Sequence, residues 1–318
     1  MPALVRVNID MMDTSPNKQS YDLSVIVVSD YGNSEERSWL DERNILKALA
    51  VQDIKQNFEV LLVENESIRD KVPADLIGIV PLLRIVYLNS DRSSVLMNQA
   101  ISFTSGKLVA LMEADCIPDP GWLRKLVEIM NNYPEISVVS GRTSYGNNTI
   151  TNRCLSLLHR GFSDLGHSGL TGHISNNGAL YRRDVLEQFP YPESITPFLS
   201  NWKRKNHMKK YGHLLFFERS AEMVHALEGW KFIVDLHRHR GYAAMMIDGQ
   251  PAWSRIPWLL VKSLITECSS LFRLGNNYLE YYDLVPALAF LVILPFLEIP
   301  GMLDAIKERD HIPGSVYR

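Results

Sequence analysis

Cysteine is scarce in this chain, with three in 318 residues, Cys116, Cys154 and Cys268, far apart and in no CxxC pair. That excludes a disulfide framework and fits a reducing compartment. One-sided charge is also missing. The balance of 33 Lys and Arg against 36 Asp and Glu leaves a net charge of -3, which excludes a general nucleic-acid binder. No internal repeat or low-complexity tract is found. Residues 1–20 hold no apolar core of signal-peptide length, and with Asp10, Asp13, Ser15, Pro16 and Asn17 they read as a loose leader. The apolar segment Leu284 to Leu297 has fourteen residues, is broken by Pro286 and Pro295 and is followed by Glu298. It is shorter than the roughly 20 residues a bilayer span needs.

What is present is a sizeable core. Apolar residues make up 46% and charged residues 22%, enough for one large α/β domain or two small ones. From Tyr21 the pattern alternates. Apolar runs at Ser24–Val28, Glu59–Val63, Arg84–Leu88 and Leu108–Met112 read as strands, and Trp39–Val51 and Ser93–Thr104 have helical spacing. Such alternation predicts a mostly parallel sheet with helices on both faces. Each strand is followed by polar residues: Ser29 and Asp30, Glu64 to Glu66, Asn89 to Arg92, then Glu113 and Asp115. Parallel strands bring those tips to one edge, where open α/β sheets bind ligands.

The last of these tips carries the most information. Leu108 to Met112 is apolar without alternation, as a strand buried on both faces is, and Glu113-Ala114-Asp115 follows at once. Two acids at a buried strand end can hold Mg²⁺ or Mn²⁺ through oxygen, and the cation can hold phosphates. Asp119 is expected to cap a helix that starts at Pro120 and buries Leu123, Leu126, Val127 and Met130.

These runs resemble family 2 glycosyltransferases of the GT-A fold. Glu113-Ala114-Asp115 stands where that family has its acidic metal motif, usually Asp-x-Asp, and Cys-Ile-Pro-Asp-Pro-Gly-Trp-Leu is similar to its continuation. Ser29 and Asp30 match a strand tip that touches the nucleotide. Glu64 or Asn65 occupies the place of an acid that reads the base, with Glu-Asn for the usual Asp-Asp. Asp91 lies at the third tip. Asn98 stands where the family has the last residue of Ala-Arg-Asn, with Met97 replacing the arginine, and Gly106 matches the glycine before the fourth strand. Asn177 and Gly178, in Ser175 to Arg183, resemble the strand that lines the donor sugar and acceptor site. His225 matches a histidine that serves the metal or diphosphate. Arg238 and Arg240, in His237 to Gly241, resemble basic residues that meet the leaving diphosphate.

The resemblance implies an α/β GT-A-like fold and transfer of a sugar from a nucleoside-diphosphate sugar to a hydroxyl acceptor, with inversion. It implies Mn²⁺ or Mg²⁺ on Asp115, Glu113 and His225, and a glycan or lipid-linked acceptor. It spans roughly Leu23 to Gly241 and is strongest up to Leu126. One departure is large. Inversion needs a base for the acceptor proton, and the Glu-Asp pair that supplies it falls here on Ser200-Asn201. No acid lies between Glu193 and Glu218, a stretch that instead carries Lys203, Arg204, Lys205, Lys209 and Lys210, a basic run that reads as a solvated helix face or as a holder of pyrophosphate, an anionic acceptor or an anionic lipid surface. Glu193, after Pro190-Tyr191-Pro192, is the candidate base by position, and Asp164 is a further acid the fold can bring near. A non-catalytic sugar-nucleotide-binding protein of the same fold is the alternative, and a nucleotidyltransferase would share the acidic cleft.

The remaining expectations concern organisation. Residues 143–173, with His159, His167 and His173, read as a polar loop with surface histidines. The expected division is a leader over 1–20, a GT-A-like domain over 21–250 and an apolar helical extension over 251–318. Within the extension, Leu284 to Leu297 is open to three fates: an interfacial hairpin giving peripheral membrane contact, a homodimer interface, or a buried helix pair. The expected location is cytoplasmic, at the inner face of the membrane.

Overall fold

The computed structural model describes residues 21–29, 38–90, 92–175, 177–194, 196–227, 229–247 and 249–307. The expected leader and the candidate residues Asp30 and Asp91 lie outside them.

Strands β1 (Leu23–Val28), β2 (Phe58–Asn65), β3 (Leu83–Leu88) and β4 (Leu108–Glu113) lie parallel in the order β3-β2-β1-β4, as the alternation predicts. Their residues point to opposite faces in turn, and those of β1, β2 and β4 are buried on both, while β3, at the edge, is only partly covered. Val25, Val27, Val60 and Leu62 pack on helices α1 (Leu40–Ala50) and α3 (Trp122–Asn132), while Ile26, Val28, Leu61 and Val63 pack on α2 (Ser93–Ala100). Gly106 is fixed by the turn into β4, where a Cβ would stand 2.5 Å from the backbone nitrogen of Ser24.

Beyond β4 the sheet becomes mixed. It continues through β8 (Gly178–Arg182), antiparallel to β4 and to β6 (Ile136–Ser144), and then β9 (Leu214–His225), parallel to β6. Two short strands, β5 (Cys116–Pro118) and β7 (Gly169–Leu170), add to β9. Strand β5 shifts the start of α3. With residues 116–118 held in the sheet and the Asp119 N–H bonded to the Glu222 carbonyl, the chain turns into the helix only at Trp122, capped by Gly121. The expected cap at Asp119 is therefore two residues early.

The segment expected to be loop over 143–173 contains α4 (Ile150–Arg160), N-capped by the Thr149 side chain, with Cys154, Leu155, Leu157 and Leu158 buried. His159 is inside the protein, not on the surface. Helix α5 (Arg183–Gln188) follows β8. Helix α6 (Pro197–Lys210) carries the basic run, and α7 (Trp230–Ile247) follows β9. Helices α8 (Ile256–Tyr278) and α9 (Leu284–Ile293) cover α4 and α7 through a core of Leu155, Leu158, Phe232, Leu236, Leu291 and Leu294, and α10 (Ile299–Ile306) packs on α7 and α8 through Met302, Ala305, Tyr242, Met245 and Leu259. The segment expected to be too short for a bilayer belongs to a helical run of 26 residues, Tyr281–Ile306, long and apolar enough to cross one by length and composition. Its prolines sit in or near first turns, where the missing N–H costs little: Pro295 opens the 3₁₀ turn Leu294–Glu298, and Pro300 opens α10.

Candidate active site

Strand pairing delivers the acids to one place. Val28 of β1 registers with Glu113 of β4, and the Ala114 N–H bonds the Val28 carbonyl, so Asp115 turns off the end of the sheet. β5 then lies against β9 with Cys116 opposite His225, and the Ala226 N–H bonds the Asp115 carbonyl. Donor atoms of Glu113, Asp115, Cys116 and His225 all lie within 4.8 Å of one another. Of these, Cys116 is a residue that sequence reasoning did not single out; only its place next to Asp115 would have marked it.

The proton inventory of this cluster fits a cation. The Nδ1 of His225 lies 2.6 Å from the Ala226 carbonyl, which can only accept, so Nδ1 carries the proton and Nε2 the lone pair. Nε2 is buried without a hydrogen-bond donor and faces Asp115 Oδ2 at 3.1 Å. Burial pushes the imidazole pKa down and outweighs the pull of Asp115, so the ring stays neutral. Two acceptors thus face each other with no hydrogen between them, the arrangement a divalent ion relieves. Beside them the Glu113 carboxyl is pushed up to about 8 by burial and by Asp115, against the opposing effects of Arg160 and Asn177. The Cys116 thiol is driven up by burial and donates to Asp115 Oδ1 at 3.3 Å, so it sits at the margin of an oxygen- and nitrogen-donor set. Carboxylates with one imidazole suit Mn²⁺ and accept Mg²⁺.

A relay stands behind Glu113. Asn177 donates to it through Nδ2 and accepts from Arg160 Nη1 at 2.6 Å, and the Arg160 guanidinium stacks 5.0 Å from the Tyr145 ring centroid. Tyr145 meets the His225 ring edge-on at 5.6 Å. Arg160 and Tyr145 come from the segment expected to be loop. The Tyr145 hydroxyl reaches His159 Nδ1 at 3.3 Å, and His159 Nε2 lies 2.8 Å from His237 Nε2.

The neighbouring tips are joined as well. Ser29 donates to Glu64, and Asn65 donates to the Ser90 carbonyl at 2.7 Å, so the edge is continuous from β4 to β3. Glu64 is fully buried and its pKa raised well above the usual carboxylate value by burial and by Glu42, with the Ser29 hydrogen bond opposing; its second oxygen has no hydrogen-bond partner among the described residues. Gly178 is buried beside Met112, where a Cβ would press on Met223 and Trp122.

A cavity of about 380 Å³ opens from Glu113, Arg160 and Asn177 and runs between α6, α7 and α8, with Asn201, Lys205, Arg240, Lys262 and Glu298 on its wall. Arg240 lies 3.4 Å from Glu298 and 3.6 Å from Glu267. Three candidates are placed elsewhere. Asn98 spends its amide on both backbone groups of Tyr191, at 2.8 Å each, and so pins the loop after α5. Arg238 turns to α10 and pairs with Asp304 at 2.6 Å. Glu193 is 70% exposed, 3.6 Å from Arg92, and is not on the cavity wall.

In structure the chain is similar to the mannosyltransferase PcManGT from Pyrobaculum calidifontis in complex with GDP-Man and Mn²⁺. The TM-score is 0.58 at 14% identity, over 94% of this chain and 91% of that one, which establishes the shared GT-A-type α/β fold. It also aligns with S. aureus TarS 1-349 in complex with UDP, with a TM-score of 0.47 and 14% identity over 90% of each chain. No curated protein matches it significantly by sequence. The family profile of glycosyl transferase family 2 matches residues 19–189, more than half of the 318 residues. The chain belongs to glycosyl transferase family 2.

Proposed function

We propose that this protein transfers a sugar, with inversion and with the help of Mn²⁺ or Mg²⁺, from a nucleoside-diphosphate sugar to an acceptor bound in the cavity. The observation that carries the reading is the His225 Nε2 lone pair facing the Asp115 carboxylate beside Glu113. A bound divalent ion would neutralise charge developing on the diphosphate. The protein's own groups do the rest. Asp115, Glu113 and His225 would hold the ion, Asn177 and Arg160 fix the Glu113 carboxylate, and Ser29, Glu64 and Asn65 line the edge available to the nucleoside. Arg240, on the cavity wall, is the cation placed to meet the leaving group. The donor reading draws on the GDP-Man bound to the mannosyltransferase PcManGT.

Membrane contact is part of the same proposal. Across 284–306 every exposed residue is apolar, Val285 reaching 76%, while Asp283, Glu298 and Asp304 are buried. On α8, Trp258, Val261, Ile265 and Phe272 are exposed at helical spacing, beside the cations Lys262 and Arg273. Charge inside and apolar surface outside, with tryptophan at one end and Tyr281 and Tyr282 at the other, suit the face of a bilayer at the cytoplasmic side.

The non-catalytic reading is favoured by one observation: Asn201 lines the cavity where a base is expected. Thermal shift with a panel of sugar nucleotides and Mn²⁺ identifies the donor, because binding to the native state raises the melting temperature. Release of nucleoside diphosphate from that donor in the presence of an acceptor mixture is the expected result. Binding without any release across a broad panel would leave a binding protein.

A further inference from the structure

Among the described residues the cavity has no free base and carries more cations than a neutral acceptor needs. Of the two residues where the base pair is expected, Ser200 donates to the Pro192 carbonyl at 2.6 Å and Asn201 donates to the Ile174 carbonyl at 2.9 Å. Among the described residues the wall carries two carboxylates. Glu113 belongs to the cation set. Glu298 accepts from Ser263 at 3.0 Å; burial raises its pKa, but Arg240 and His237 more than offset this and hold it below the usual value, so it binds a proton poorly. Against these two stand four cations, Arg160, Lys205, Arg240 and Lys262.

Lys205 is the most informative of the four. It is half-buried, and its ammonium donates to His173 Nδ1 at 3.1 Å. Burial, with help from Lys205 and Lys209, pushes His173 down to about 4, so the imidazole is neutral and supplies no counter-charge. No carboxylate pairs with Lys205 among the described residues. A half-buried charge held this way calls for an anion. Apolar side chains share the wall with these charges and with hydroxyl and amide groups: Phe198 and Trp202 on α6, Ala244 and Ile247 on α7, Leu259 on α8. Leu259 is followed in the same helix by the outward-facing Val261 and Ile265, so the apolar wall leads to the apolar surface.

We propose that the acceptor is a phosphate monoester carried on a long aliphatic chain. The proposal rests on the nucleotide-sugar reading above. A phosphate monoester has its second pKa near 6 and is mostly dianionic at neutral pH. Its oxygen is already deprotonated, so the missing base is not needed. That oxygen attacks the anomeric carbon. The bond from that carbon to the diphosphate oxygen breaks, and the electron pair leaves with the nucleoside diphosphate. The product is a sugar phosphodiester, and no proton is released. Transfer to a hydroxyl would release one. Lys205 holds the phosphate, and the aliphatic chain lies along α7 and α8 toward the lipid face.

The test uses the full chain with Mn²⁺ and the sugar nucleotide of largest thermal shift. Radiolabelled sugar transfer is measured to farnesyl phosphate, farnesol, methyl phosphate and a panel of soluble glycans in the same detergent. Transfer to farnesyl phosphate, none to farnesol, and no proton release in a weakly buffered assay are expected. Lys205→Gln should raise the KM for farnesyl phosphate about tenfold or more, the loss of a charge-assisted hydrogen bond, with donor Kd unchanged. Lys205→Arg should keep it near wild type. Transfer to farnesol or a glycan instead of farnesyl phosphate would overturn the proposal. Equal use of methyl phosphate would overturn the aliphatic part and point to a soluble phosphate. Loss of donor binding in calorimetry would instead mark failure of the nucleotide-sugar reading itself.

Discussion

His237 and His239 face the same problem with different partners. His237 is buried between His159 and Glu298, and His239 lies 4.0 Å from Asp235. Burial pushes both down to about 4, below the roughly 6.5 of an exposed imidazole. A depressed histidine pKa means the unfolded chain binds more protons between those values. Its stabilising contribution is therefore complete above about 6.5 and is lost as pH falls toward 4. Melting temperature should fall already between pH 6.5 and 5, above the usual carboxylate range, and His237→Gln should flatten that slope. A flat wild-type profile over this window would contradict the buried neutral histidines. Glu193 supports a second expectation at this scale. Exposed and paired with Arg92, it should be dispensable: Glu193→Gln should keep full turnover, and the 10²–10⁴-fold loss typical of removing a general base would restore it as the base. Glu113 and Asp115 were legible because an unbroken apolar strand fixes where it ends. Arg160 and Tyr145 were not, because their roles come from contacts between distant segments; Arg160 meets Asn177 only once α4 packs beside β8.

Elements show the same division between local and distant causes. The first four strands follow from runs of apolar residues, and α3 from its spacing. Strand β5 is three residues, Cys116–Pro118, with no pattern of its own; pairing with β9 alone defines it. Helix α4 hid in a polar stretch because only Cys154, Leu155, Leu157 and Leu158 are apolar and buried there. The contact between α7 and α10 is another feature invisible in one segment. A Cβ on Gly301 would stand 1.7 Å from the Arg238 carbonyl oxygen, and one on Gly241 would stand 2.0 Å from the Glu298 carbonyl oxygen. These are backbone atoms that cannot swing away. Gly301→Ala should therefore cost about 1–3 kcal/mol, the usual range for overpacking, seen as a lowered melting temperature. An unchanged melting temperature would mean the helices sit farther apart.

At the scale of the molecule, the sheet edge, the cavity and the helices α8 to α10 form one path from the acid cluster to an apolar outer face. The extension from residue 251 was legible as apolar, yet its fourteen-residue core gave no hint that helical turns on both sides make a run of 26 residues. Full-length protein should float with anionic vesicles, and Val285→Glu with Phe296→Glu should abolish flotation while leaving nucleotide binding intact. A chain that never floats but dimerises by light scattering would assign that face to a second copy. The central claim is that Asp115, Glu113 and His225 hold a cation that holds the nucleotide. Titration calorimetry of nucleoside diphosphate into wild type and Asp115→Asn, each with Mn²⁺ and with chelator, tests it most directly. Binding that requires Mn²⁺ in the wild type and is lost in a normally folded Asp115→Asn is the predicted result; equal Mn²⁺-dependent binding in both proteins, or undiminished binding in chelator, would contradict it.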